Sequence, residues 1–151
     1  QRGSVNDTMT LTLKGFKKGL DFDLFSIENS LFRSNGTIDP NFQNFGLAWY
    51  QSDIHISGSP TKVTIKTILL DQIFGFDPKV SLAPTNTFHV GFWFNNPADA
   101  VPCGFDASKP TPFNGEQKAG PLAFISKPKA TKLGPLCSNP NTTTNPPTCN
   151  P

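Results

Sequence analysis

The stretch "TFHVGFWFN", residues 87–95, decides how the rest of the chain is read. Drawn as an extended strand, it sends Phe88, Val90, Phe92 and Phe94 to one side and His89, Gly91, Trp93 and Asn95 to the other. The first face is core, each ring contributing about 1.5–3 kcal/mol when fully buried. The second face is the informative one. Trp93 is its single large apolar group, and it either fills a gap between sheets or belongs to a binding face. "NNP" at 95–97 ends the strand, and the loop "ADAVPCGFD" carries Cys103 to the surface.

The same period of two recurs on either side. "TMTLTLK" (8–14) places Met9, Leu11 and Leu13 opposite Thr10, Thr12 and Lys14. "LDFDL" (20–24) turns Leu20, Phe22 and Leu24 inward and Asp21 and Asp23 outward, and the two segments, joined by "GFKKG", are expected to form a hairpin. "TKVTIKTIL" (61–69) alternates as cleanly. "NFGLAWYQSDIHIS" (44–57) is apolar in both phases before it becomes polar at every second residue, and a bulge near Gln51 to Asp53 reconciles the halves. No segment carries helical periodicity over three turns. Turn signals at "SNGT", "SGSP", "FDP", "LAPTN", "NNP" and "FNGEQ", with 15 prolines and 12 glycines in the chain, divide it into about seven or eight strand-length segments. The expected fold is all-β: an antiparallel β-sandwich over residues 1–127, with a β-barrel as the alternative. From 128 to 151 regular structure is expected to stop in a Pro-rich extension.

Charge narrows the function. Thirteen Lys and Arg against 11 Asp and Glu leave a formal charge of +2, without the clustered positive charge that nucleic acid or an anionic membrane requires. "KPKATK" (127–132) reads as a solvated loop, and no apolar run approaches the ~20 residues that span a bilayer. A chain that opens on Gln1 is expected to be the mature form of a secreted, extracellular protein. The sequons at Asn6, Asn35 and Asn141 are expected to carry glycans.

Three cysteines allow one internal bridge at most. Cys137 and Cys149 enclose a short run of Ser, Asn, Pro and Thr with nothing to bury, so a clip there is the expected bridge. Cys103 is then a free or intermolecular thiol, although the sequence leaves its pairing with Cys137 open.

Catalytic constellations are sparse. The only histidines, His55 and His89, lie on different strands, short of the three protein ligands typical of catalytic zinc even with Asp53 added. No G-x-S-x-G elbow occurs, Ser59 being a turn serine before Pro60. Asp21 and Asp23, one pleat apart, match the spacing of glycosidase carboxylates, but alternating acids on an outer face more commonly serve solubility. No catalytic residue, metal or other cofactor is assigned.

The Gln start, the sequons, the Phe-rich strands and the Asn-Pro-Thr tail clipped by cysteine resemble secreted glycoproteins of filamentous fungi. Among these the chain is similar to the small, non-catalytic subunit of heterodimeric basidiomycete laccases. The resemblance implies an accessory chain that docks on and stabilises a larger secreted enzyme, the copper chemistry lying wholly on that partner. The alternative is a carbohydrate-binding or cell-wall-associated module, with Trp49, Tyr50, His89 and Trp93 as a face for polysaccharide.

Overall fold

A computed structural model of the chain describes residues 7–46, 48–67, 89–108, 119–129, 133–137, 139–145 and 147–149. Asn6, Gln1, Phe88 and the turn signals at 76–78, 82–86 and 113–117 lie outside the described residues. The described chain is all-β, with strands β1 (Asp7–Leu13), β2 (Asp21–Ile27), β3 (Ala48–His55), β4 (Thr61–Thr67), β5 (His89–Phe94), β6 (Leu122–Ile125), β7 (Pro140–Asn141) and β8 (Thr148–Cys149). Its helical content is one four-residue helix, α1 (Pro97–Ala100), followed by a single 3-10 turn. Strands β1 and β4 form a two-stranded sheet, β3-β2-β5-β6 a four-stranded sheet in that order, and β7-β8 a short ladder; no barrel closes among them.

The chain divides into two compact units. The first comprises residues 1–25, 50–69 and 91–124. Its β1–β4 ribbon is antiparallel, with Met9 opposite Ile65, Leu11 opposite Val63 and Leu13 opposite Thr61. Every apolar residue of β1 therefore faces an apolar one or the closed turn at Thr61, whose hydroxyl accepts from Gly58 N and donates to Gly58 O. Thr10 and Thr64 meet on the exposed face, with hydroxyl oxygens 3.5 Å apart. The same unit buries Phe22, Leu24, Ile54, Phe92, Trp93 and Phe94. Apolar faces of two separate antiparallel sheets are thus buried in it, which is the sandwich-like arrangement that the alternation predicts.

Two sequence expectations change here. The hairpin between 8–14 and 20–24 does not form: β1 pairs with β4, and β2 lies between β3 and β5. Gly15 (φ 78°) and Gly19 (φ 89°) both adopt the left-handed conformation, and Gly19 N donates to Ile56 O, carrying the chain out of one sheet into the other. Alternation specifies which face is buried; it does not specify a partner strand. Secondly, Asp23 does not point to solvent. Strand β2 is central, and Asp23 is buried along with its apolar neighbours.

The second unit comprises residues 26–49, 70–90 and 125–151. A tight turn with Gly36 N donating to Arg33 O, a bridge between Phe32 and Ile38, and Asp39 N donating to Leu31 O build a small hairpin over 31–39. Regular structure does not stop at 127: Pro140 pairs with Cys149 and Asn141 with Thr148. Cys137 and Cys149 are disulfide-bonded, 12 residues apart. Cys149 packs on buried Leu133 and Cys137, a miniature core. A loop of this size gains on the order of 3 kcal/mol from closure, which substitutes for the apolar side chains the segment lacks.

Candidate functional site

Within the first unit, one face of β2 and its neighbouring strands carries a ladder of polar and aromatic side chains. Asp21, Asp23 and Phe25 alternate along β2 and share that face. His55 Nδ1 donates to Asp21 Oδ1 (2.7 Å), Asn95 donates its amide to Asp23 Oδ1 (3.0 Å), and Phe25 meets both Tyr50 and Trp93 edge-on, at 5.8 and 5.5 Å. Asp53 hydrogen-bonds the Asp23 carboxyl and accepts from the Tyr50 hydroxyl (2.8 Å). Along β3 the side chains that meet this face of β2 are therefore those of His55, Asp53 and Tyr50.

Burial holds the Asp23 carboxyl above its ordinary value; the Asn95 amide opposes the rise, and the charge and hydrogen bond of Asp53 add to it. Burial, with the hydrogen bond and charge of Asp53, likewise raises the Tyr50 phenol to about 12. The two carboxyls are thus in direct contact. Glycosidase chemistry sets its two carboxyls about 5–9.5 Å apart to admit the sugar or water, a gap that the Asp23–Asp53 pair does not leave. Ser59 Oγ accepts from Gly15 N (3.2 Å), a turn role. Among the described residues, no group of three or more His, Cys, Asp and Glu side chains is placed to hold a metal ion.

The four residues expected on one binding face are not equivalent. Trp93 is 0% exposed and His89 3%, so neither belongs to an exposed platform. β5 lies between β2 and β6, and all six of its residues are buried; a strand covered on both faces has no solvent side for its second set of side chains. Trp49 is half-buried, and Tyr50, at 49%, is the exposed member. The Ser126 hydroxyl lies 3.4 Å from His89 Nδ1, and burial pushes the imidazole down to about 4, which keeps it neutral near pH 7.

A second surface of the first unit is apolar. Asn96 caps α1, accepting from Ala98 N (2.9 Å), and the 3-10 turn after it holds Cys103 half-buried and unbridged. Val101, Phe105 and Phe124 are exposed. Phe105 meets Phe94 edge-on (5.1 Å) and Phe124 lies tilted against Phe92 (5.2 Å), two core rings on one side of β5. Sequence reasoning found Cys103 here and missed the aromatics, because "GFD" and "LAFI" carry no signal that separates an exposed Phe from a core one.

In the second unit the sequons at Asn35 and Asn141 have the same local geometry. Each Asn Oδ1 accepts from the backbone N (3.0 Å) and the hydroxyl (2.7 Å) of the Thr two residues on. Asp106 makes the same turn with Ser108 outside any sequon, so the geometry belongs to short polar side chains in turns and is not peculiar to glycan acceptors. Residues drawn from the segment 28–44, with His89 and Pro128, line a cleft of about 700 Å³.

No helix among the described residues is long and apolar enough to cross a membrane, and the disulfide is compatible with an extracellular protein. Comparison of the chain with family models, curated proteins and solved structures finds no match.

Proposed function

We propose that this chain is a secreted glycoprotein without a catalytic step of its own, and that it docks on and stabilises a larger secreted enzyme, as the small subunit of a laccase-type oxidoreductase does. The observation that carries the reading is the exposed apolar surface of Val101, Phe105 and Phe124, two of whose rings extend directly from core aromatics. Rings anchored in this way keep their orientation and lose little side-chain freedom on binding, which favours them as interface anchors. The disulfide-closed C-terminal segment supports the same reading. Its Pro and Thr side chains are held by a clip and a two-residue ladder, so it presents a preformed surface at small entropic cost.

The test is co-purification of the chain with a laccase-type multicopper oxidase from the same secreted material, comparing the native chain with a Phe105→Asp, Phe124→Asp double variant. The expected result is loss of association and a lower thermal midpoint for the oxidase. A partner that stays bound and equally stable, or an isolated chain that turns over a substrate, overturns the proposal. Near-ultraviolet circular dichroism of the double variant separates a lost interface from a lost fold.

A further inference from the structure

The cleft in the second unit is chemically unlike the apolar surface of the first, and a ligand held there is independent of docking on an enzyme. Its volume of about 700 Å³ falls in the range of small-ligand sites, roughly 300–1,000 Å³. Phe32 and Phe42 contribute half-buried rings, and Phe42 is braced edge-on by Phe45 at 5.0 Å. Side-chain amides of Asn29, Asn41 and Gln43 line it, and they make no side-chain hydrogen bond among the described residues. Each such amide offers a carbonyl acceptor and two N–H donors.

The walls are held in place by bonds that, among the described residues, do not engage those amides. Asp39 Oδ1 takes the Arg33 guanidinium (3.3 Å) and Asn41 N (3.0 Å), and Asn44 Oδ1 takes Gly46 N (3.0 Å). At the inner end, Ser30 Oγ donates to Ser126 O (2.7 Å). Ser126 Oγ accepts from Val90 N (3.0 Å) and lies 3.4 Å from His89 Nδ1. His89, its side chain almost wholly buried, is itself one of the residues lining the cleft. The strong cation among the lining residues, Arg33, is neutralised by Asp39, so the cleft does not select an anion. Side-chain amides and the Glu28 carboxylate beside an aromatic ring match a ligand bearing many hydroxyls on a ring with an apolar face.

We propose that this cleft binds the pyranose rings of a short neutral oligosaccharide, with the ring face on Phe42 and the hydroxyls on the side-chain amides of Asn29, Asn41 and Gln43. Two sources share that chemistry. Asn35, at the exposed tip of the hairpin that forms one wall, is itself a sequon, so its own glycan can fold back into the cleft; otherwise the sugar comes from outside.

The experiment uses the full chain in two forms, glycosylated and Asn35→Gln, each titrated calorimetrically with N,N′-diacetylchitobiose, cellobiose and mannobiose. The expected result is that Asn35→Gln binds at least one disaccharide. Phe42→Ala and Gln43→Ala, made on that background, each weaken binding, by up to about ten-fold where a single hydrogen bond is lost, with unchanged thermal midpoints. If the glycosylated form refuses the disaccharide that Asn35→Gln accepts, the chain's own glycan is the occupant; if both bind equally, the sugar is exogenous. Amide exchange over residues 28–44 provides the second readout: a folded-back glycan slows it in the native form relative to Asn35→Gln. The proposal is overturned if no disaccharide binds either form and exchange is the same in both, or if binding survives both cleft substitutions undiminished.

Discussion

The β1–β4 ribbon and the central strands β2 and β5 carry the same period-two pattern and use it differently. Along β1 and β4 the alternation separates solvent from core: Met9, Leu13 and Ile65 are buried while Thr10, Thr12, Lys62 and Thr64 are exposed. Along β2 and β5 both sets are buried, and the polar residues Asp23 and His89 are taken inside with the rings. On the ribbon a polar side chain costs nothing, because water remains its partner. On a central strand each one must find a partner within the protein: Asn95 and Asp53 for Asp23, Ser126 for His89. The consequence is that the ribbon tolerates substitution, whereas the central strands hold the chain's stability and its pH dependence.

That contrast can be broken most directly at Trp93. Replacing it with Ala removes the largest wholly buried side chain and is expected to cost about 3–5 kcal/mol, read as a shift of the urea midpoint; a loss below about 1 kcal/mol, within the range of surface changes, would place β5 at the surface. Next comes His89. Its imidazole, held near 4 when folded against 6.5 for the free group, stays neutral while the unfolded chain takes up a proton. Stability is therefore fully present above pH 6.5 and falls as pH drops towards 4, by up to about 3 kcal/mol. His89→Gln should flatten this limb relative to the parent in unfolding curves between pH 7 and 4.5; parallel curves would refute the assignment.

Asp23 has the opposite sign. Its carboxyl is raised above 3.8, so its contribution is present below that value and is lost as pH rises through the folded-state pKa. Asp23→Asn keeps an acceptor for Asn95 and removes the like charge facing Asp53, and it should stabilise the chain at pH 7 by up to about 1 kcal/mol, the scale of one hydrogen bond; destabilisation at every pH would show that the charge is needed. The smallest effect belongs to the ribbon. Thr10→Ala, which loses only the 3.5 Å contact with Thr64, should stay within about 0.5 kcal/mol.

Much of this was legible in the residues. Alternation at 8–14 and 61–69 located both ribbon strands, and the spacing of Cys137 and Cys149 located the clip. The candidate sites were less so. Trp93 and His89 were placed on a contact face because a strand read alone has two faces and nothing in it says that both are covered. The carboxyl pair was sought at Asp21 and Asp23, whereas the contact is between Asp23 and Asp53, on different strands and brought together by pairing. The cleft carried no motif at all, since Asn, Gln and Ser in short polar runs read as turn.

By itself the sequence determined what depends on neighbours along the chain: which segments extend, where they turn, which face of the ribbon is apolar, and which cysteines lie close enough to bridge. The tertiary structure decided what depends on neighbours across it. It chose β4 over β2 as the partner of β1, set β5 between two strands, drew Asp23 and His89 out of water, and gathered the polar side chains of 28–44 around one cleft. The physical reason is that alternation is a property of a single strand, and it is satisfied equally by any partner that covers the apolar face. Burial of the opposite face, the pKa shifts it causes, and the convergence of unpaired amides exist only once a strand has neighbours on both sides and a loop has closed over them.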